Sequence, residues 1–207
     1  MSDLSPPPPK ASAHRAPKPE GEKLGWRVLR TDYPYDGKVN KLRADRLSIP
    51  GRGEMNYSYL ERAQSVIVVP ITADGRAVLI RQYRFPVDEH CLEFPAGGLH
   101  DTGEASLEEV VRKELQEEIG AVAGAVEYVG WFYSSDSLRN EVCHVHLAFD
   151  VAITEPAETE AGEHIETVIL PLREACALVR RGGMRTGTCA LSLLLCEERL
   201  RARKLLL

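Results

Sequence analysis

One stretch, Glu93 to Gly120, limits what this chain can fold into more than any other. It reads E-F-P-A-G-G-L-H-D-T-G-E-A-S-L-E-E-V-V-R-K-E-L-Q-E-E-I-G, a loop with three glycines that feeds an amphipathic helix. Leu107, Val110, Val111, Leu115 and Ile119 recur at helical spacing and mark the face to be buried, while Glu114, Glu117 and Glu118 gather elsewhere on the surface. Glu114 and Glu118 are one turn apart, with Glu117 beside both. Like charges at that spacing weaken an isolated helix, so a cation is expected between them. Mg²⁺ fits best, with Mn²⁺ as its substitute, because carboxylate oxygens are preferred ligands and positions remain for water and phosphate oxygens. A solvated acidic helix face would account for the glutamates alone. It would not account for P-A-G-G, then G-E, then E-L-Q-E-E-I-G standing in register.

That register resembles the Nudix box, G-x5-E-x7-R-E-U-x-E-E-x-G-U with U aliphatic, the loop-helix motif of Mg²⁺-dependent pyrophosphohydrolases. Gly98 and Glu104 keep the first spacing, and Glu114 through Gly120 keep the E-U-x-E-E-x-G core. The chain departs from the pattern twice. One residue is inserted between Glu104 and the core, in the loop or first helical turn, where length is tolerated. Lys113 stands where the family has Arg, with Arg112 before it, and a Lys supplies the charge but not the bidentate fork.

The resemblance extends beyond the box. Arg81-Gln82-Tyr83-Arg84-Phe85-Pro86 and Leu92-Glu93-Phe94-Pro95-Ala96-Gly97 are similar to the R-Q-Y-R-x-P and L-E-x-P-A-G signatures of the ADP-ribose pyrophosphatase branch. That branch implies metal ligands at the Ala96 carbonyl, Glu114, Glu117 and Glu118, and substrate contacts at Arg84, Glu93 and, more loosely, Arg62. A guanidinium beside a diphosphate is also what its planar fork favours, with a surface ion pair as the alternative for Arg84. Ser134–Glu141 takes the place of the branch's S-P-G-x-x-x-E loop without its Pro and Gly, which makes Ser135 and Glu141 substrate candidates. An acidic run over 154–166 is by itself a solvated connection. In the branch, a glutamate of this loop joins the metal site, which implies Glu163 as catalytic base, Glu160 as reserve and Glu117 as the third catalytic carboxylate.

Length and composition set the frame. With 207 residues and 43% hydrophobic content, the chain can bury one sizeable core and a small appended layer. A net charge of -5 argues against a nucleic-acid surface built on bulk positive charge, so an anionic substrate must be met by local cations or metal. No apolar run reaches the ~20 residues of a spanning helix and no leader pattern is evident, so a soluble cytoplasmic protein without a membrane partner is expected. Five cysteines with no C-x-x-C pair read as reduced, buried fillers. Cys143-His144-Val145-His146 has the look of a soft-metal fragment, but it lacks further nearby ligands and reads as a strand with polar outward positions.

The expected organisation is a disordered Pro-rich arm over 1–23, an N-terminal β subdomain over 24–60 and a catalytic domain over 61–207. Trp26–Arg30 and Lys41–Ile49 read as strands joined through Tyr35-Asp36-Gly37, too few to bury a face alone. Gln64–Ile71 and Ala77–Pro86 read as a hairpin around Ala73-Asp74-Gly75. Pro171 opens one C-terminal helix and Gly182-Gly183 closes it. A last helix beginning near Thr188 should bury Cys189, Leu193, Cys196 and Leu200.

With the resemblance, these elements imply an α/β fold, a Nudix-type α/β/α sandwich with a mixed sheet plus a small N-terminal β layer that forms a homodimer. The implied reaction is hydrolysis of a nucleoside diphosphate sugar, ADP-ribose to AMP and ribose 5-phosphate first, with GDP-mannose or UDP-glucose as alternatives. Trp26, Tyr57 or Trp131 would stack on the base. A non-catalytic nucleotide-sugar sensor is the rival from another class, and the intact core glutamates argue against it.

Overall fold

The computed structural model describes residues 18–100, 103, 105–159 and 164–206. Its contacts group into two units: the described residues up to Gln64 with Phe132–Val142, and Ser65–Trp131 with Cys143 onward.

In the first unit, a short helix α1 (Pro19–Lys23) leads into strands β1 (Arg27–Asp36), β2 (Asn40–Ile49) and β3 (Gly53–Arg62), an antiparallel meander in sequence order. The helix takes up the last residues of the expected arm, and the remainder of that arm lies outside the described residues. The β2–β3 turn needs Gly51 and Gly53, whose φ values of +72° and +80° disfavour a side chain. Strand β1 is exposed along nearly its whole length, while β2 buries Arg43, Asp45 and Leu47. Arg43 donates to Asp45 (Nε to Oδ2 2.9 Å) and to Glu61 (Nη1 to Oε1 3.1 Å). Thr31 Oγ1 and Tyr33 OH donate to the same two carboxylates, so this buried charge is paired and hydrogen-bonded as burial requires. The segment 134–141 belongs to this unit because its backbone bonds to β3: Leu60 N–H donates to Leu138 O (2.9 Å) and Asn140 N–H to Leu60 O (3.3 Å).

The second unit holds β4 (Ser65–Pro70), β5 (Arg76–Arg84), β6 (Glu89–Glu93), β7 (Ala96–Gly98), helix α2 (Leu107–Ile119), β8 (Ala121–Val122) and most of β9 (Ala125–Tyr133) and β10 (Val142–Phe149). It continues through β11 (Ala152–Ile153), β12 (Ile165–Pro171), α3 (Leu172–Arg180) and α4 (Gly187–Ala202). One sheet runs β7-β4-β10-β9 and another β12-β5-β6. Strands β4 and β10 pair in parallel while β4 and β7 pair antiparallel, so the sheet is mixed as expected.

Strand alternation decides which helix covers which face. Val66 and Val68 of β4 join Val78 and Ile80 of β5 in a core with Val110, Val111, Leu115 and Ile119 of α2. Ile67 and Val69 point the other way, and α4 packs on β4 as well, burying Cys189, Leu193, Cys196 and Leu200. The expected sandwich follows: an inner strand with a helix against each face. All five cysteines are free thiols, four of them buried.

The glycine-rich loop and helix are punctuated by local chemistry. Ser106 caps α2 in a reciprocal box: its Oγ accepts from Glu109 N–H (3.2 Å) and Glu109 Oε2 accepts from Ser106 N–H (2.7 Å). Gly120 ends the helix in the left-handed region at φ 61°, where a Cβ would overlap the Glu155 carbonyl. Helix onset at Leu107 places Glu114, Glu117 and Glu118 in the last turns of α2.

His144 and His146 correct the expectation of outward polar positions. Both are almost wholly buried, on the face of β10 that carries Ala148 toward α2, and Tyr128 OH lies 3.3 Å from His144 Nδ1. Burial, with the neighbouring His144, pushes the His146 imidazolium down to about 4, and its Nδ1 has no hydrogen-bond partner. The folded protein holds this ring neutral, whereas the unfolded chain protonates it near 6.5. Stability should therefore fall as pH drops from about 6.5 and level off below about 4, by up to about 3 kcal/mol at 1.36 kcal/mol per unit. Urea unfolding across that range should show the slope, and His146→Phe should flatten it. An unchanged slope in the variant would assign the effect elsewhere.

Candidate active site

Glu118 is the anchor of the acidic turn. It is buried, and its Oε2 accepts a hydrogen bond from Ala96 N–H at 3.1 Å, which ties the last turn of α2 to the first residue of β7. Glu114, one turn earlier, lies so close to Gly97 that a Cβ there would overlap its carboxylate. The P-A-G sequence therefore does steric work: Gly97 leaves room for a carboxylate that any larger residue would displace. Glu117 forms an ion pair with Lys113 (Oε2 to Nζ 3.2 Å), the residue standing where the box pattern has Arg. Arg112 takes no part in this, bonding instead to Glu108 and to the Ala123 carbonyl.

A second cluster stands on β5 and β6. Arg84 grips Glu93 through two bonds, Nε to Oε1 at 3.1 Å and Nη2 to Oε2 at 2.5 Å. Glu93 is buried and Arg84 partly open, so the acid is the fixed partner and the guanidinium the presented one. The bond to Glu93, reinforced by the nearby charge of Glu118, raises the Arg84 pKa further and keeps it cationic. Both Arg84 and Glu93, singled out as substrate contacts, are thus joined to each other, with Glu93 orienting the fork. Thr186, at the N-cap of α4, donates its hydroxyl to Glu93 Oε1 (3.1 Å), and Arg185 pairs with Glu89 (2.8 Å). Sequence reading missed Thr186. Its only sequence signal is a Thr before a helix start, which indicates a cap and says nothing of a contact 93 residues away.

The acidic loop begins against the same helix end. Thr154 and Glu155 N–H groups donate to Gly120 O (2.9 and 3.1 Å), and Glu158 N–H donates to Glu117 O (2.9 Å). Glu160 and Glu163, the base candidates, and Glu104 of the box lie outside the described residues.

In the first unit, Arg62 and Glu141 meet each other: Nη1 lies 3.6 Å from Oε1, with Arg139 and Ser134 also on the buried Glu141 carboxylate. The Ser135 carbonyl accepts from the Leu138 and Arg139 amides, shaping the turn. Trp26 and Tyr57 line a cavity of about 980 Å³ in this unit with Arg43, Tyr59, Tyr133 and Arg139. Trp131 is outside that lining.

Could the acidic turn accept a cation? Among the described residues, no three His, Cys, Asp or Glu side chains already converge on one point. The donor set nonetheless suits a hard divalent ion, since two carboxylates of one helix are drawn against the Ala96-Gly97 backbone, and Gly97 leaves the space they need.

This fold has a close solved counterpart, an ADP compounds hydrolase, at a TM-score of 0.76 and 22% identity over 87% of this chain and 97% of that one. The chain belongs to the NUDIX domain family, whose model matches residues 61–186, and it is a Nudix hydrolase. Among its relatives are an ADP-ribose pyrophosphatase of Bacillus subtilis, 28% identical over 75% of this chain and 84% of that protein, and a methanol dehydrogenase activator of Bacillus methanolicus, 27% identical over 77% and 86%. Among the described residues, no helix is long and apolar enough to cross a membrane.

Proposed function

We propose that this Nudix hydrolase cleaves the diphosphate linkage of a nucleoside diphosphate sugar, with ADP-ribose giving AMP and ribose 5-phosphate as its leading substrate. The observation that carries this reading is the juxtaposition in the second unit of the Ala96-Gly97 cradle, holding Glu114 and Glu118, with an Arg84 kept cationic by buried Glu93. The ADP-ribose pyrophosphatase of Bacillus subtilis supports the choice of sugar.

Splitting an anhydride between two anionic phosphates demands neutralised charge and an aligned water more than covalent chemistry. Arg84 donates its outward N–H groups to phosphate oxygens in a fork geometry that Glu93 and Thr186 fix. Glu114, Glu117, Glu118 and the Ala96 carbonyl would hold Mg²⁺, with Mn²⁺ as its substitute. When bound, the metal offsets phosphate charge and lowers the pKa of a water. Glu163, with Glu160 as reserve, takes the proton from the attacking water. Lys113 pairs with Glu117 and so balances the charge of one of these carboxylates. The exposed Val28, Leu29 and Tyr35 of β1 support a homodimer in which a second copy covers that strand.

Incubation with Mg²⁺ and a panel of ADP-ribose, GDP-mannose and UDP-glucose, followed by chromatography of products, tests the proposal. AMP release from ADP-ribose with the highest kcat/KM is the expected result. Failure to release a nucleoside monophosphate from any member of the panel would overturn it.

A further inference from the structure

Gln82 sits near the end of β5, only 4% exposed, and its Oε1 is buried without a hydrogen-bond partner. Strand alternation puts it on one face with Val78 and Ile80 behind it and Arg84 ahead. Val78 and Ile80 belong to the core against α2, and Arg84 holds Glu93. Gln82 thus stands where the apolar core gives way to the charged site. A buried amide end left without a partner destabilises the fold, and an apolar side chain of similar length would fit the core without that cost. A polar group of this kind calls for a partner that the chain itself does not supply.

We propose that a hydroxyl of the substrate's sugar completes the buried end of the Gln82 amide, making Gln82 a specificity-determining contact beside Arg84. This rests on the nucleoside diphosphate sugar reading above. Side chains two residues apart on a strand stand about 6.5–7 Å from each other. That spacing carries from a phosphate at Arg84 to the hydroxyls of the sugar attached to it. Phosphate oxygens only accept hydrogen bonds, so they suit the guanidinium. A hydroxyl both donates and accepts, so it satisfies whichever end of the amide is turned inward. Gln82 therefore distinguishes a phosphate bearing a sugar from a phosphate bearing an apolar group.

The test compares wild type, Gln82→Met and Gln82→Leu on two diphosphates, ADP-ribose and the β-ethyl ester of ADP, with thermal unfolding of each protein alone. Either substitution should lower kcat/KM for ADP-ribose by about 10–100-fold, as expected when a buried hydroxyl loses its partner, and leave the ethyl ester within about twofold. The ligand-free variants should melt at the wild-type temperature or a few degrees above it. Equal losses on both substrates, or a lowered melting temperature with no substrate discrimination, would make Gln82 structural and overturn the inference. Should both variants fail to fold, wild type alone decides: kcat/KM for ADP-ribose no better than for the ethyl ester overturns it equally. A wild type that cleaves neither diphosphate instead sinks the proposed function from which this inference starts.

Discussion

Glu118→Gln is expected to lower kcat on ADP-ribose by on the order of 10³-fold, several kcal/mol of transition-state stabilisation, while the melting temperature stays level or rises slightly. The two effects separate because Glu118 does two things. Its Oε2 accepts from Ala96 N–H at 3.1 Å, and a Gln of equal length can offer its carbonyl oxygen to the same donor. What the substitution removes is a negative charge in a position only 5% exposed, where an ionised carboxylate is costly to keep. That charge also lies near the Arg84 guanidinium, so the fold trades relief of burial against lost attraction and changes little, while the metal site loses a ligand. Steady-state kinetics with thermal unfolding at increasing Mg²⁺ would measure both: wild type should gain stability with metal and the variant should not. Wild-type rates in the variant would take Glu118 out of the metal set.

Gly97→Ala should lower activity by about 10–100-fold at fixed, subsaturating Mg²⁺, with partial recovery at higher metal. Gly97 has no positive φ, so Ala is tolerated by the backbone, and the three atoms nearest to the new methyl all belong to the far end of the Glu114 side chain. The carboxylate must swing away from the Ala96-Gly97 cradle, which misplaces a ligand without opening the core. A melting temperature within a few degrees of wild type is the expected companion result. Unchanged metal dependence would show that Glu114 does not need this position.

The acidic turn was legible in the sequence because its pattern is local. Leu107, Val110, Val111, Leu115 and Ile119 fix which face α2 buries, and the glutamates then follow from helical geometry. Gly98 and the P-A-G run could likewise be read as loop, and Gly120 as the end of the box core. The roles of Arg84 and Glu93 were less legible. Each was assigned to substrate, and the structure joins them to each other and adds Thr186, a contact across the chain that no local pattern encodes. The histidines of β10 were misread for a related reason. Alternation predicts that His144 and His146 share a face, but β10 is an inner strand buried on both faces, so no face is left for outward polar positions. Strand β3 and the short β6 and β7 carry no such pattern of their own: β3 and β6 pair with the strands immediately before them, and only β7 finds its partner, β4, farther back in the chain.

By itself, then, the sequence determined the helix, the positions of its carboxylates and the family to which they belong, because all of these are written in patterns that span a few residues. Only the tertiary structure decided that Gly97 makes room for Glu114, that Ala96 holds Glu118, and that Gln82 is left with a buried amide end. Those relations depend on strands and helices meeting across tens of residues of chain, where packing rather than spacing selects the partner.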